Sequence, residues 1–335
     1  MVCIIYTMIR VQAPSRLHFG LLSLSSDTHW PNLLGEEAVP SRHFGGAGVM
    51  IEQPGIVLTA QPADDWAAEG VLAERALEDA RRFAQTWPAH VLRPHRLVIE
   101  RSAPAHVGLG TGTQLGLAVA RALCISGGLP DLTTVDLARR VGRGMRSGVG
   151  VHGFAQGGFV VEAGQRPGGR IAPLVARTPC PEDWRWVVVL PPWGAGLHGQ
   201  EEREAFRRLD EQHMDLETTG HLCRLLMLGM LPALQERDLD GFGESLFDFN
   251  RRVGQSFATV QSGPYASSPV ADLVSFIHRQ GVHGVGQSSW GPAVFAVADG
   301  AERAEDLAQR IREHFGLQAE EVLVTAACNH GAVVL

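Results

Sequence analysis

The chain has 335 residues, 45% hydrophobic and 19% charged, enough apolar mass for one large or two packed domains and too much for a disordered chain. All 29 basic residues are arginine, and the absence of lysine excludes both a Schiff-base mechanism and a lysine-bearing P-loop. A net charge of −7 without a basic block argues against nucleic acid and leaves small anionic molecules, met by local arginines, as the expected ligands.

The apolar start over 2–9 is interrupted by Tyr6 and Thr7 and lacks a positive leader. It is far shorter than the roughly 20 residues of a membrane span, so a soluble, cytoplasmic protein with no membrane partner is expected. Apolar runs over 8–24 and 48–60, broken by glycine and proline, read as strands and hairpins. The alanine, leucine and charge spacing over 66–87 predicts one long amphipathic helix closed by Pro88. A strand over 95–101 then delivers a glycine-rich turn and a helix running through Ala122.

A helix follows over 135–141, then a glycine-punctuated stretch over 142–158, then strands over 159–162 and 186–190. Helices are predicted over 201–212, 216–231, 239–253 and 270–280. Strands over 282–285, 293–297 and 322–326, with a helix over 301–315, suggest a closing split β-α-β sheet. The domain boundary is expected near 179–182, giving domains 1–180 and 181–335. Cys3, Cys124, Cys180, Cys223 and Cys328 form no C-x-x-C pair and read as reduced structural thiols.

Gly108-Leu-Gly-Thr-Gly-Thr-Gln114 lies between a strand and a helix, where backbone N–H groups converge on a positive helix end. It reads either as a phosphate cradle or as a tight connection capped by Thr111 or Thr113. Arg16 and His18 fall two residues apart on a strand and so share a face; His18 is either a ligand contact or a histidine bonded to backbone. Glu201 and Glu202 stand at the first turn of a predicted helix, and either is a candidate for Mg²⁺ or for orienting substrate. The Asn250-Arg251-Arg252 run near a helix end reads as solvated, with phosphate contact as its functional alternative.

Pro104-x-x-x-Gly108-Leu-Gly110, the early Ala13-Pro-Ser-Arg-Leu-His-Phe-Gly20 and the late Gly284-Val-Gly-Gln-Ser-Ser-Trp-Gly-Pro-Ala293 together resemble the GHMP kinase superfamily in order and spacing. The resemblance implies an α+β, GHMP-kinase-like two-domain fold. Its N-terminal domain is a ribosomal-protein-like α/β unit and its C-terminal domain a ferredoxin-like split β-α-β unit. The kinases' serine-glycine-x-aspartate, whose aspartate deprotonates the acceptor alcohol, aligns with Ser147-Gly-Val-Gly150. The expected base is a glycine, and ordinary phosphoryl transfer lacks its proton acceptor.

Ser15-Arg-Leu-His-Phe-Gly20, Gly108 to Gln114, Arg143-Gly-Met-Arg-Ser-Gly-Val-Gly150 and Gly286-Gln-Ser-Ser-Trp-Gly-Pro292 more narrowly resemble the β-ribofuranosylaminobenzene 5′-phosphate synthase family. This implies condensation of phosphoribosyl pyrophosphate with 4-aminobenzoate or 4-hydroxybenzoate, with loss of pyrophosphate and CO₂, toward tetrahydromethanopterin. Mg²⁺ is the expected cofactor, and ATP belongs only to the alternative of a small-molecule kinase. A third reading is a non-catalytic ligand-binding relative. The expected catalytic residues are Arg16, His18 and Arg146, with phosphate held at Gly108, Gly110, Thr111, Gly112, Thr113 and Ser147. Ser15, Gln287, Ser288, Ser289 and Trp290 are expected at the substrate, with core packing as the alternative for Trp290. The fold family suggests a homodimer.

Overall fold

The computed structural model describes residues 8–23, 42–166, 168–193, 204–205, 207–208, 214, 216–258, 260–261 and 263–335. The first sheet contains β1 (Ile9–Ser23), β2 (Phe44–Pro62), β3 (Ala67–Gly70), β4 (His95–Arg101), β5 (Phe159–Glu162), β6 (Leu174–Thr178) and β11 (Val333–Val334). Its path is β11-β1-β2-β4-β3, and β5 pairs with both β2 and β6. The 19-residue β2 therefore serves two partners, β5 at its start and β4 at its end. Helices α1 (Ala73–Ala84), α2 (Thr111–Ser126), α3 (Thr134–Arg140) and α4 (Val149–Gln156) complete this unit.

The second sheet has the order β10-β7-β9-β8, built from β7 (Trp184–Val189), β8 (Val285–Gln287), β9 (Val294–Asp299) and β10 (Val322–Ala326). All its pairings are antiparallel. With α8 (Gly300–Phe315) between β9 and β10, this is the ferredoxin-like arrangement expected for the C-terminal half. Between β7 and β8 run α5, α6 (Leu239–Phe257) and α7 (Ser268–Arg279). Helix α5 begins as Leu216–Arg224, passes through a π-helical stretch Leu225–Met230 and resumes as Leu231–Glu236. Pro232 sits at the start of the last piece; without an N–H and with a ring that crowds the preceding turn, it accounts for the widened hydrogen bonding before it.

Strand alternation assigns the cores. Trp184, Trp186 and Val188 pack toward the first sheet, while Val187 and Val189 pack under α7 and α8. Strand β1 changes phase partway along. Val11 and Ala13 belong to the core beneath α1 and α2, whereas Leu17 and Phe19 belong to the core against the second sheet. The cause is the register break between Ala13 and Ser15, where Ala13 pairs with Ile56 but Ser15 pairs with Ile51. The extra β2 residues form a bulge, which swaps the faces of the β1 side chains that follow, until a second register break between His18 and Gly20.

Several sequence expectations need correction. Residues 67–70 are not the start of a helix but strand β3, which pairs in parallel with β4. The stretch over 142–158 contains helix α4, and β6 had no counterpart in the sequence reading. The last sheet strand before the late loop is 285–287 rather than 282–285. Most of the helix expected over 201–212 lies outside the described residues.

Phe19 joins the two sheets, with ring centroids 5.8 Å from Trp186, 5.0 Å from Phe295 and 5.9 Å from Phe159, and it is fully buried. Phe19→Ala is expected to cost about 3–5 kcal/mol of unfolding free energy, read as a lower urea midpoint. An unchanged midpoint would show that the two sheets do not depend on this cluster.

Candidate functional site

A cleft of about 1230 Å³ opens between the two units. Its walls come from β1, the start of α1, the turn before α2, the 142–147 loop, α6 and the 287–291 loop. The β2 bulge opposite Ala13 and Ser15 sets its chemistry, because Leu17 and Phe19 enter the core on one face while Arg16 and His18 line the cleft on the other. Five arginines line it, Arg16, Arg75, Arg82, Arg143 and Arg146, against three carboxylates, Glu74, Glu78 and Asp79. One of those carboxylates is already committed: Asp79 accepts two hydrogen bonds from Arg143 Nη2, at 2.8 and 3.0 Å. Burial nevertheless raises the Asp79 pKa, the arginine only partly offsetting it. The lining therefore favours anions.

The glycine-rich turn enters the cleft, with Gly108, Gly110, Thr111, Gly112 and Thr113 all on its wall. Helix α2 has no side-chain cap, and its N-cap Gly110 is left-handed at φ 70°. Capping by Thr111 is excluded, since that hydroxyl donates to the Pro104 carbonyl at 2.8 Å. The amides of Thr111 and Gly112, at the start of a long helix, are thus presented to the arginine-lined space, while the Thr113 amide is bonded to the Gly110 carbonyl at 3.0 Å. Gly108 (φ 96°) lies so close to the Ser288 carbonyl that a Cβ there would collide with it.

That contact is part of a dock between the two units. Ser288 Oγ donates to the Gly108 carbonyl at 2.7 Å and accepts from the His18 amide at 3.0 Å. Ser289 N donates to the His18 carbonyl at 3.0 Å, and Ala293 N to the Val107 carbonyl at 3.1 Å. Asn250 on α6 completes the dock, donating from Nδ2 to the carbonyls of Phe19 and Gln287 and accepting from the Gln287 amide. It is therefore buried rather than solvated.

Two expected substrate contacts are corrected by this geometry. Ser288 is fully buried and spends its hydroxyl on the dock. Ser15 faces away from the cleft, and its hydroxyl donates to the Pro54 carbonyl in the β2 bulge; it secures the phase change that aims its neighbour Arg16. Gln287, Ser289 and Trp290 do line the cleft. Gln287 spends its side chain on the Ala266 amide and the Ser289 carbonyl. Trp290 is both wall and core, packed edge-on against Phe257 at 4.8 Å. Glu201 and Glu202 lie outside the described residues.

Ser147 and His18 are brought together: His18 Nε2 is 3.0 Å from Ser147 Oγ. Behind Ser147 stands Glu162, the last residue of β5, which no motif in the sequence marks as functional. It is fully buried and accepts from the amides of Gly148 (3.2 Å) and Gly164 (2.7 Å), and the neighbouring Ser147 hydroxyl also favours its charged form. Burial pushes its pKa up to about 7, against the pull of those donors and of Arg42. Burial first, and then Arg16, hold the His18 pKa well below 6.5.

Gly150, where the kinases carry their aspartate, is buried at the start of α4, just behind the cleft wall. A Cβ there would stand 3.4 Å from Gln114 Nε2 and Thr113 Cγ2 and 3.7 Å from Arg16 Cδ. Among the described residues no group of three or more His, Cys, Asp or Glu could hold a metal ion, and no helix is long and apolar enough to cross a membrane.

Comparison with known proteins agrees with this architecture. The GHMP kinases N terminal domain matches residues 72–158 and the GHMP kinases C terminal domain matches 230–317, which defines the class of the fold. Solved structures similar over almost the full length include a homoserine kinase from Cytophaga hutchinsonii (TM-score 0.67, 16% identity, 99% and 98% of the two chains). Another is the mevalonate diphosphate decarboxylase from Enterococcus faecalis (TM-score 0.63, 14% identity, 98% of each). Within this class the chain belongs to the beta-ribofuranosylphenol 5'-phosphate synthase family, and it is an enzyme. It is 30% identical to the member from Methanothermobacter thermautotrophicus, over 97% of this chain and 98% of that one. Identity to the member from Archaeoglobus fulgidus is 31%, over 98% and 99%.

The environment of Glu162 has a measurable consequence. Its carboxyl binds a proton more tightly folded than unfolded, so it contributes a loss of stability as pH rises from about 4.5 to about 7, and nothing further above that. His18 works in the opposite direction, favouring the fold as pH rises toward 6.5. The wild-type minus Glu162→Gln difference in unfolding free energy isolates the first effect, and should fall by about 3 kcal/mol across that window. Urea titrations at several pH values check this; a flat difference would show that the carboxyl is not desolvated.

Proposed function

We propose that this cleft joins phosphoribosyl pyrophosphate to 4-hydroxybenzoate or 4-aminobenzoate through carbon, releasing pyrophosphate and CO₂ and giving a β-ribofuranosyl phenol or aminobenzene 5′-phosphate. The relatives' name supplies the product class. The observation that carries the reading is the pairing of an arginine-lined, uncapped helix end with a glycine, Gly150, beside Arg16 where the kinases carry a base. Departure of pyrophosphate calls for stabilisation of leaving negative charge, not for a strong base next to the phosphates.

In this reading the Gly108 to Gly112 amides receive one phosphate group, and Arg16 and Arg146 meet others in the paired-donor fashion suited to guanidinium. Arg143, pinned to Asp79, gives the wall a fixed cation whose position does not depend on substrate. Gly116 makes room for that pair, since a Cβ there would lie 3.2 Å from both Arg143 Nε and Asp79 Oδ2. Trp290 forms a flat apolar wall against which an aromatic acid is held with its carboxylate-bearing carbon toward C1.

The donor set fits a Mg²⁺ that arrives with pyrophosphate rather than one caged by protein. Glu74 and Glu78 line the cleft and would complete a shell made mainly of phosphate oxygens and water. When bound, the ion would neutralise charge on the leaving pyrophosphate.

Purified protein given phosphoribosyl pyrophosphate, Mg²⁺ and carboxyl-labelled 4-hydroxybenzoate or 4-aminobenzoate should release labelled CO₂ only when all are present. Arg146→Ala should lower kcat/KM by roughly 10²–10³, or about 2.7–4 kcal/mol, with an unchanged melting temperature. Consumption of ATP dependent on an added small alcohol, with no CO₂ from either acid, would replace this reading with a kinase.

A further inference from the structure

The cleft has an arginine-rich half suited to phosphates, but attack by a phenol ring poses a second problem. The carbon bearing the carboxylate becomes a good nucleophile only as the para hydroxyl gives up its proton. Neither Gly150 nor a lysine can take it. His18 lines the cleft but is a poor base alone, because an imidazolium there would be buried beside the Arg16 guanidinium.

We propose that Glu162, Ser147 and His18 form a proton relay that takes the phenolic proton of the aromatic substrate during carbon–carbon bond formation and returns it after CO₂ leaves. The proposal rests on the synthase reading above. Its basis is the hydrogen-bond direction. Ser147 has one proton, and the strongest acceptor beside it is the Glu162 carboxylate, which is bonded to the next residue's amide at 3.2 Å and whose charged form Ser147 favours. Ser147 Oγ meanwhile accepts from the Val149 amide at 3.3 Å. The hydroxyl oxygen therefore receives the His18 Nε2–H across 3.0 Å. That fixes the neutral tautomer and leaves Nδ1, which has no hydrogen-bond partner among the described residues, as the acceptor for a ligand in the cleft.

The balance closes without a stranded charge. As the ring carbon bonds to C1 and the C1–oxygen bond to pyrophosphate breaks, the phenol O–H proton passes to Nδ1. The Nε2 proton moves to Ser147 Oγ, and the Ser147 proton to Glu162. His18 ends neutral in its other tautomer, and the ring becomes a cyclohexadienone still bearing the carboxylate. Breaking the ring-to-carboxylate bond releases CO₂, its electron pair restores the aromatic ring, and the phenol oxygen recovers the proton along the same path. No net proton is consumed. Storing the proton on Glu162 removes a buried charge, which is why the group at the far end of the relay is a carboxylate held near neutrality, with Arg42 and two backbone amides the groups that act on it besides Ser147.

Two readouts test this. In ¹⁵N-histidine-labelled protein, His18 should be the Nε2–H tautomer, and Ser147→Ala should abolish that preference. Finding the Nδ1–H tautomer in the wild type overturns the relay whatever the activity. In kinetics, Glu162→Gln and Ser147→Ala should each lower kcat/KM for 4-hydroxybenzoate by roughly 10²-fold. With 3,5-difluoro-4-hydroxybenzoate, whose phenol is far more acidic and needs less help, the loss should shrink by about tenfold. Equal losses with both acids would mean that Glu162 only pins the Gly148 and Gly164 loops. Wild-type protein that releases no CO₂ from either acid overturns the synthase reading, and the relay with it.

Discussion

The break in pairing between Ala13 and Ser15 is the constraint on which the rest of the molecule depends. One continuous strand must feed a core under α1 and α2, a second core against the other sheet, and the cleft between them. A regular β1 has only two faces and would keep each parity on one of them. The bulge in β2 reassigns the parities midway, so Leu17 and Phe19 join the inter-sheet core and Arg16 and His18 are released to the cleft. Ser15 is where that geometry is secured, through the Pro54 carbonyl.

The second requirement is that two units present one surface. Backbone of the 107–109 turn and of the 288–293 loop is bonded directly, through Ser288 and the Ala293 amide, with Asn250 satisfying strand ends of both sheets at once. Such fully bonded buried groups are costly to separate, because each would lose its partner without gaining water. The site is accordingly rigid where phosphates are expected, and its cations are guanidinium groups, of which Arg143 is pinned to the Asp79 carboxylate.

Much of this was legible in sequence wherever signals were local. The 95–101, 159–162 and 322–326 strands stand where their apolar runs and flanking turns put them, and the glycine-rich turn declared itself by its place between a strand and a helix. What was missed is non-local. Strand β3 looks helical because alanine and leucine dominate its surroundings, and only its pairing with β4 makes it a strand. Asp79 and Arg143 are an ion pair across 64 positions, which no spacing rule detects. Glu162 carries no motif at all; its character comes from burial and from the two loop amides that it receives. Ser15 and Ser288 belonged to the right motifs, but the motifs could not tell a hydroxyl facing a ligand from one holding the backbone that does.

The return of the C-terminal residues to the first sheet has a further implication. The Cys328 amide bonds to the Met50 carbonyl, and Val333 and Val334 pair with Gln12 and Val11 at the outer edge of β1. On the ribosome β1 therefore emerges long before the β11 residues that pair with it, so the sheet that aims Arg16 and His18 is open along that edge until they arrive. Closing so long a loop costs entropy only logarithmically in its length, but it delays completion. The edge of β1 is thus a nascent-chain hazard for intermolecular pairing until β11 docks on it.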